Sequence, residues 1–323
     1  MKKISKILTV LAVFLLVLTG CTKKKEQKLT IISTSFPGYD FARAITKNSD
    51  AEVKMLLKPG AEIHDYDPTP QDIINIKNSD IFIYVGGDSD EWINDILKDI
   101  DLDKTKVIKL MNLTEVVEEE LVEGMEEQEH EHEEEHEHEE DHEHEEEIEY
   151  DEHVWTSPKN AIKITNKLKE EIIKVDEANK ELYENNATEY TKELENINKE
   201  IKEIVENGTR NEIIFGDRFP LRYFTEEYNL KYYAAFPGCS EQTEASAKTI
   251  SFLIEKVKED KIPVVFHIEL SNKKIAQTIK DQTDVKILEF HTAHNITKED
   301  FDAGVTYVDI MKRNEKVLKE ALN

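Results

Sequence analysis

Hydrophobic and polar residues alternate along the chain in a pattern that predicts strands separated by helices. Short apolar runs rich in β-branched residues occur four times before residue 115 and four times after residue 210. Between them lie amphipathic stretches with apolar residues at helical spacing. This alternation is typical of parallel sheets with helical crossovers, so each half should be a small α/β lobe. The predicted strands lie within 29–35, 51–57, 81–86, 107–111, 211–217, 231–237, 264–270 and 285–292, and the predicted helices within 37–48, 70–78, 91–99, 243–260 and 271–282.

A long helical connector is predicted between the two halves. From Pro158 to about Asn207 the chain has no Gly and no further Pro, and Ile and Leu recur at helical spacing. A chain of about 300 residues also exceeds what one hydrophobic core usually serves. We therefore expect an N-terminal lobe at 29–156, a helical connector at 157–208 and a C-terminal lobe at 209–323.

The N-terminus resembles a bacterial lipoprotein signal. Three lysines precede the apolar run Ile7 to Leu18, which is shorter than the roughly 20 residues that span a bilayer. The run ends in Leu-Thr-Gly-Cys, at Cys21. We expect residues 1–20 to be removed, Cys21 to carry the lipid and residues 21–28 to form a tether. The protein would then lie outside the cytoplasmic membrane, anchored by lipid.

Most of the net charge lies in one segment. Between Glu115 and Glu152 there are 23 acidic residues and no Lys or Arg, so that of the formal charge of −28 only −5 belongs to the rest of the chain. This negative charge argues against a nucleic-acid partner, because the phosphate backbone is negative as well. Because its centre contains no apolar residue, we expect a disordered loop at about 115–150 within the N-terminal lobe.

The same acidic segment holds six histidines, which suit a weak metal-collecting loop. Two matches to the zinc-protease pattern H-E-x-x-H occur there, but a site of that kind needs a helix that packs in a core, so both are accidents of composition. A purely solvating role is the alternative. The six residues are His130, His132, His136, His138, His142 and His144.

Four histidines outside this loop are candidate ligands. His64 follows the second predicted strand in a loop bounded by Pro and Gly, and His153 lies in the stretch DEHVWTSP. His267 and His291 end two predicted strands of the second half. Ligands of open α/β sheets bind beyond the carboxyl ends of the strands. Each histidine alone is more simply a structural residue, but two per lobe at equivalent places favour a metal site.

The stretches GAEIHDYDPTPQDI and DEHVWTSPKNA, the His-rich insertion between them and the lipoprotein-like N-terminus resemble one family over residues 29 to 320. This family comprises the zinc- and manganese-specific solute-binding lipoproteins of bacterial ABC importers. The resemblance implies two α/β lobes bridged by a long rigid helix, with one metal in the cleft between them. It implies delivery of that metal to an ABC permease with its ATPase, and we expect the protein to be a monomer. It also identifies His64 and His153 as the two metal ligands of the N-terminal lobe.

The C-terminal lobe departs from the family pattern. Zinc-binding members have a His, and manganese-binding members a Glu, where this chain reads FGDRFPLRYF, and we place Gly216 at that position. We expect His267 to compensate, and His291 to replace the family's last ligand, usually Asp. A shift of the alignment would substitute His294 for His291. Asp217 and Glu269 are weaker candidates.

Four imidazoles favour Zn²⁺ as the cargo, since Mn²⁺ prefers carboxylate oxygen, although Ni²⁺ and other divalent ions also suit nitrogen ligands. Four protein ligands also close the tetrahedral shell, so we expect no catalysis. A zinc-dependent hydrolase, with one ligand replaced by water, is one alternative. A metal-binding surface adhesin is another.

Two further residues of the C-terminal lobe have open roles. Cys239, in KYYAAFPGCSEQTEAS, is either a zinc ligand or a small buried residue, and the second role is favoured because four histidines already fill the shell. Glu244 matches a recurrent Glu of the family and would hydrogen-bond a ligand imidazole.

Overall fold

The chain folds into two α/β lobes, as predicted. A computed structural model describes residues 28–61, 66–125, 149–238, 240 and 244–323. Each lobe contains one four-stranded parallel sheet, and every predicted strand region contains an observed strand. The strands are β1 (Thr30–Ser33), β2 (Glu52–Met55), β3 (Ile81–Tyr84), β4 (Lys106–Lys109), β5 (Glu212–Phe219), β6 (Lys231–Pro237), β7 (Val264–His267) and β8 (Lys286–Glu289).

The two sheets have the same topology. Their strand orders are β2-β1-β3-β4 and β6-β5-β7-β8. In each sheet the first strand along the chain is therefore an inner strand, and crossovers add the later strands on both sides of it. All pairs are parallel, which places the carboxyl ends of the strands at a common edge. The loops that follow these edges carry the candidate ligands.

Helices cover the sheets and connect the lobes. Several begin at residues whose side chains cap the first turn, such as Thr69, Ser157 and Thr306. They are α1 (Phe36–Ile45), α2 (Pro70–Asn78), α3 (Ile93–Leu97), α4 (Pro158–Val175), α5 (Lys180–Asn207), α6 (Arg222–Tyr228), α7 (Ala247–Glu259), α8 (Lys274–Asp281), α9 (Lys298–Asp302) and α10 (Tyr307–Leu322).

The long connector consists of α4 and α5, which have 18 and 28 residues. Helix α5 packs against α4, against α1 of the N-terminal lobe and against α10 of the C-terminal lobe. It therefore supports both lobes at once. Within the described part of the chain, no helix combines the length and the apolar character needed to cross a membrane.

One hydrophobic core runs through both lobes. It joins residues of the first sheet such as Ile31, residues of α5 such as Leu194, and residues of the second sheet such as Phe215. Two smaller clusters lie on the far sides of the sheets, one under α2 and α3 and one under α7 and α8. Because the central core is continuous, the loops that face the cleft rest on a common support.

Candidate metal site

A pocket lies between the lobes, where the loops at the carboxyl ends of the two sheets meet. Its cavity volume of about 30 Å³ is enough for an ion or a water molecule. Two histidines, His153 and His294, contribute to its wall. The lining residues are Ala61, His153, Arg218, Pro220, Gly238, Ile268, Glu269, Leu270, Thr292, His294 and Asn295.

His153 is fully buried in the loop that precedes α4. Its Nδ1 lies 3.1 Å from Oδ1 of Asp151, and the same oxygen accepts the backbone N–H of His153 at 2.8 Å. A carboxylate only accepts, so Nδ1 carries the proton and the lone pair of the neutral ring is on Nε2. Among the described residues Nε2 has no hydrogen-bond partner. His153 is thus prepared to bind a metal through Nε2.

Acidic side chains surround His153. Burial alone would lower its pKa, but the carboxylates of Asp151, Glu152 and Glu119 outweigh burial and raise it. Glu152 is 1% exposed, and burial raises the pKa of its carboxyl. Its Oε1 accepts the hydroxyl of Ser89 at 2.6 Å. This negative surrounding favours a cation at the Nε2 side of the ring.

His294 approaches His153 from the other lobe. The two ring centroids are 5.1 Å apart and the rings are nearly perpendicular, at 88°. His294 also packs against Trp155, with centroids 5.0 Å apart. Potential ligand atoms of Glu152, His153 and His294 all lie within 4.8 Å of one another, and all three residues are buried. Among the described residues, this is the group of side chains that could hold a metal ion.

The backbone turn at residues 292–294 is held by Glu269. Its carboxylate accepts the N–H of Thr292 at 2.7 Å, the hydroxyl of Thr292 at 2.6 Å and the N–H of His294 at 3.1 Å. Ala293, between them, has a φ of 61°, a left-handed conformation that is uncommon for Ala. With these donors satisfied by its oxygens, Glu269 orients the turn that carries His294.

His291 lies just outside the pocket lining and has a different role in the turn. Its Nδ1 accepts the N–H of Ala293 at 3.0 Å, so the neutral ring carries its proton on Nε2. Its Nε2 has no hydrogen-bond partner among the described residues. The side chain of Asn314 makes two hydrogen bonds to the backbone of His291. Its Oδ1 accepts the N–H at 2.9 Å, and its Nδ2 donates to the carbonyl at 2.7 Å. These contacts make His291 a support of the turn.

Three other predicted site residues are also absent from the pocket lining. The Nδ1 of His267 donates to the carbonyl of Ile268 at 2.7 Å. Asp217 accepts the backbone N–H groups of Arg218 and Ile268, and burial raises the pKa of its carboxyl. Glu244 is 82% exposed and pairs with Lys274 of α8.

The assignment of Gly216 to the missing ligand position is corrected by the structure. A Cβ at Gly216 would lie 2.7 Å from the backbone of Ala276 in α8, so this position faces the helix and not the cleft. The register of β5 and β6 shifts between Phe215 and Arg218. Beyond this irregularity Arg218 and Pro220 of the stretch reach the pocket, and Nη1 of Arg218 donates to the carbonyl of Ser240 at 3.2 Å.

Several predicted site residues lie outside the described part of the chain. They are His64, Cys239, the lipidation site Cys21 and the six histidines of the acidic segment. Residues that the sequence analysis missed are Glu152, Asp151, Arg218 and Asn295. Asp151 and Glu152 directly precede His153 in the DEHVW stretch, and that adjacency was the available signal for them.

Comparison with known sequences agrees with this geometry. Residues 31–321 match the family described as zinc-uptake complex component A, periplasmic. The high-affinity zinc uptake system protein ZnuA of Bacillus subtilis is 33% identical over 99% of this chain and 98% of its own length. The zinc-binding lipoprotein AdcA of Streptococcus pneumoniae is 30% identical over 99% of this chain, which spans 61% of that longer protein.

Solved structures show the same fold. The lipoprotein YcdH of Bacillus subtilis, described as metal-dependent, superposes with a TM-score of 0.74 and 28% identity, covering 91% of this chain and 99% of that one. The Zn(II)-bound ZnuA-like domain of Streptococcus pneumoniae AdcA gives a TM-score of 0.72 and 27% identity, with 92% and 99% covered. The chain therefore belongs to the zinc-uptake complex component A family, the periplasmic zinc-binding components of ABC zinc importers.

Proposed function

We propose that this protein captures one Zn²⁺ ion in the cleft between its lobes through His153 and His294, with His64 as a third ligand. The observation that carries the proposal is the convergence of His153 and His294, buried and edge to face, from different lobes. The names of the relatives support zinc as the cargo. His64 is predicted from the sequence alone.

The chemistry of the converging side chains favours zinc over manganese. Imidazole nitrogen suits Zn²⁺, whereas Mn²⁺ prefers carboxylate oxygen and water. Glu152 is the carboxylate grouped with the two rings, and its oxygens accept hydrogen bonds from the backbone and hydroxyl of Ser89. It places a carboxylate beside the proposed ion. In a tetrahedral site the ligand nitrogens lie about 2.0–2.1 Å from zinc.

The proposed ligands therefore differ from the four histidines that the sequence predicts. We propose His294 in place of His291, because Nδ1 of His291 accepts a backbone N–H and His294 forms the group with His153. We do not include His267, whose side chain is not part of the pocket wall. Cys239 follows the pocket residue Gly238 in the sequence and stays a candidate for the fourth position, which water would otherwise occupy.

Membership in the family places the protein with an ABC permease and its ATPase as partners. We further propose that the lipid on Cys21 holds it at the outer face of the cytoplasmic membrane and that it acts as a monomer. The lipoprotein names of relatives support the anchor. Metal release would then occur directly above the permease.

A hydrolase with the same ligands needs an open coordination position, a general base and space for a substrate. The pocket is of ionic size, and Glu269 is occupied by its three donors. Both observations favour transport over hydrolysis. An adhesin would bind a host protein in the absence of metal, and no feature of the described residues favours that role.

Elemental analysis with native mass spectrometry tests the proposed function. Protein purified without added metal should contain close to one equivalent of zinc. After removal of the metal with a chelator, it should take up zinc in preference to manganese when both are offered at equal concentration. A preparation that takes up manganese, or that binds no metal tightly, would refute the proposal.

A further inference from the structure

The side chain of Asn295 joins the two lobes at the edge of the pocket. It is 3% exposed. Its Nδ2 donates to the carbonyl of Lys58 at 3.0 Å and to that of Ala61 at 2.5 Å. Its Oδ1 accepts the N–H of Ile296 at 2.8 Å. Both donors and the acceptor of the amide are thus used, and the two donors reach the loop after β2 in the opposite lobe.

The backbone adds a parallel connection between the same segments. The N–H of Gly60 donates to the carbonyl of Ile296 at 2.8 Å, and Gly60 has a φ of 85°, in the left-handed region that Gly adopts without strain. Segment 58–61 therefore makes three hydrogen bonds to segment 295–296. Ala61 and Asn295 both line the pocket, so this connection forms part of its wall.

The connected segments flank two proposed ligands. Segment 58–61 ends three residues before His64 in the sequence, and Asn295 directly follows His294. We propose that Asn295 is a positioning residue that fixes segment 58–61, which contributes Ala61 to the pocket wall, relative to His294, so that the two sides of the zinc site are kept in register. This inference rests on the proposed zinc-binding function.

The physical basis is the cost of misplacing ligands. If Asn295 is truncated, two carbonyls in the cleft lose their donors, and the loop is free to move to positions where water can satisfy them. Zinc then has to order that loop on binding, which lowers its affinity and speeds its release. A purely structural asparagine would change the stability of the fold without changing zinc binding.

The chain offers a matched control at Asn186 in α5. The Nδ2 of Asn186 also donates to two backbone carbonyls of the N-terminal lobe, those of Ile45 at 2.9 Å and Lys47 at 2.7 Å. It does not line the pocket. Asn186→Ala therefore removes the same type of bridging amide at a place where no ligand loop depends on it.

The experiment compares the full chain with Asn295→Ala, Asn295→Ser and Asn186→Ala. Zinc affinity is measured by competition with a chromophoric chelator, the release rate by stopped flow with excess chelator, and the melting temperature on the metal-free proteins. Asn295→Ala should weaken zinc binding and speed release by roughly tenfold or more, and Asn186→Ala should change each by less than about twofold. Asn295→Ser serves the same comparison if the alanine variant does not fold.

The same measurements distinguish failure of the positioning role from failure of the proposed zinc-binding function. Unchanged affinity and release in the folded Asn295 variants, or equal losses in Asn186→Ala, would overturn the positioning role while the wild type still binds zinc. A wild type without a tight zinc site would overturn the proposed function itself. Loss of zinc affinity in proportion to loss of melting temperature across all variants would also reject the positioning role.

Discussion

The rings of His153 and His294 meet edge to face, with their centroids 5.1 Å apart and an angle of 88° between them. His153 precedes the helical connector, whereas His294 follows the last strand of the C-terminal lobe. Any motion that opens the cleft separates these two rings. A metal that binds both would therefore stabilise this arrangement of the two lobes.

Glu269 should contribute to zinc affinity without touching the ion. In Glu269→Gln an amide replaces one carboxylate oxygen, so that the N–H groups of Thr292 and His294 and the Thr292 hydroxyl are no longer all accepted. We expect zinc affinity to fall by roughly 10- to 100-fold, as for other residues that orient metal-binding histidines. Isothermal titration of the metal-free variant measures this loss.

Thr292→Val is the matched control for that variant. It removes the Thr292 hydroxyl, which donates to Glu269 and also accepts the N–H of His294 at 3.3 Å, and it leaves the two backbone N–H donors on Glu269. The loss of affinity should be smaller than in Glu269→Gln. An equal loss in both variants, or no loss in Glu269→Gln, would show that the carboxylate does not hold the turn.

Zinc affinity should decrease as the pH falls. The pKa of His153 is raised above its ordinary value of 6.5, because Asp151 and other carboxylates outweigh the effect of burial. Protons compete with zinc for its Nε2 below that raised pKa, by up to roughly tenfold in affinity for each pH unit. Competition titrations at about pH 8 and about pH 6 measure the change. In Asp151→Asn the midpoint of the pH dependence should move to lower pH.

The stability of the metal-free protein should show the opposite dependence on pH. A histidine whose pKa is higher in the folded state stabilises the fold fully below its unfolded pKa, and this contribution is lost as the pH rises through the folded pKa. Zinc should therefore raise the melting temperature more at high pH than at low pH. A metal-induced shift that is larger at low pH would contradict this assignment of His153.

A second pH effect should come from Glu315 on α10, which does not line the pocket. Burial and the nearby carboxylate of Glu200 on α5 raise the pKa of Glu315 to about 7, although Lys312 and Lys316 oppose this. For an acid with a raised folded pKa, ionisation destabilises the fold as the pH rises from the unfolded value through about 7. Glu315→Gln should therefore raise the melting temperature at alkaline pH and have little effect in acid. Calorimetry at both values, with zinc affinity as the unaffected control, tests this.

The His-rich acidic loop is predicted to collect metal weakly and not to form the tight site. Deletion of residues 129–147 should leave the high-affinity step of a zinc titration unchanged and remove several weaker steps. The alternative of a purely solvating loop predicts no weak steps in the wild type. Loss of the tight step on deletion would contradict both interpretations. Calorimetric titration over a wide range of zinc concentration distinguishes these results.

The sequence predicted the fold well because hydrophobic periodicity is a local signal. The predicted strand regions and the two-lobe arrangement are confirmed, and helix 70–78 has the predicted bounds. The terminal helix α10 was not identified, although its residues Ile310 and Leu318 are buried. Strand β5 extends two residues beyond the predicted region, to Phe219, and α6 begins at Arg222. Sheet pairing set that boundary.

The site was less predictable because it depends on side-chain direction. His291 and His294 are three residues apart in one turn, and the left-handed Ala293 between them decides which ring faces the cleft. The irregularity after Phe215 likewise decides that Arg218, and not Gly216, faces the pocket. Neither conformation has a local sequence signal, since Ala is uncommon in the left-handed region. The contacts of Glu269 with the turn join residues that are distant in sequence.

We propose that one zinc ion is bound by His153 of one lobe and His294 of the other. The most direct test is a calorimetric zinc titration of the metal-free wild type and of His153→Ala, His294→Ala and His267→Ala. We predict a single tight step in the wild type, its loss by at least about 100-fold in the first two variants, and its retention in His267→Ala. A tight step that survives in His294→Ala and disappears in His267→Ala would contradict this assignment.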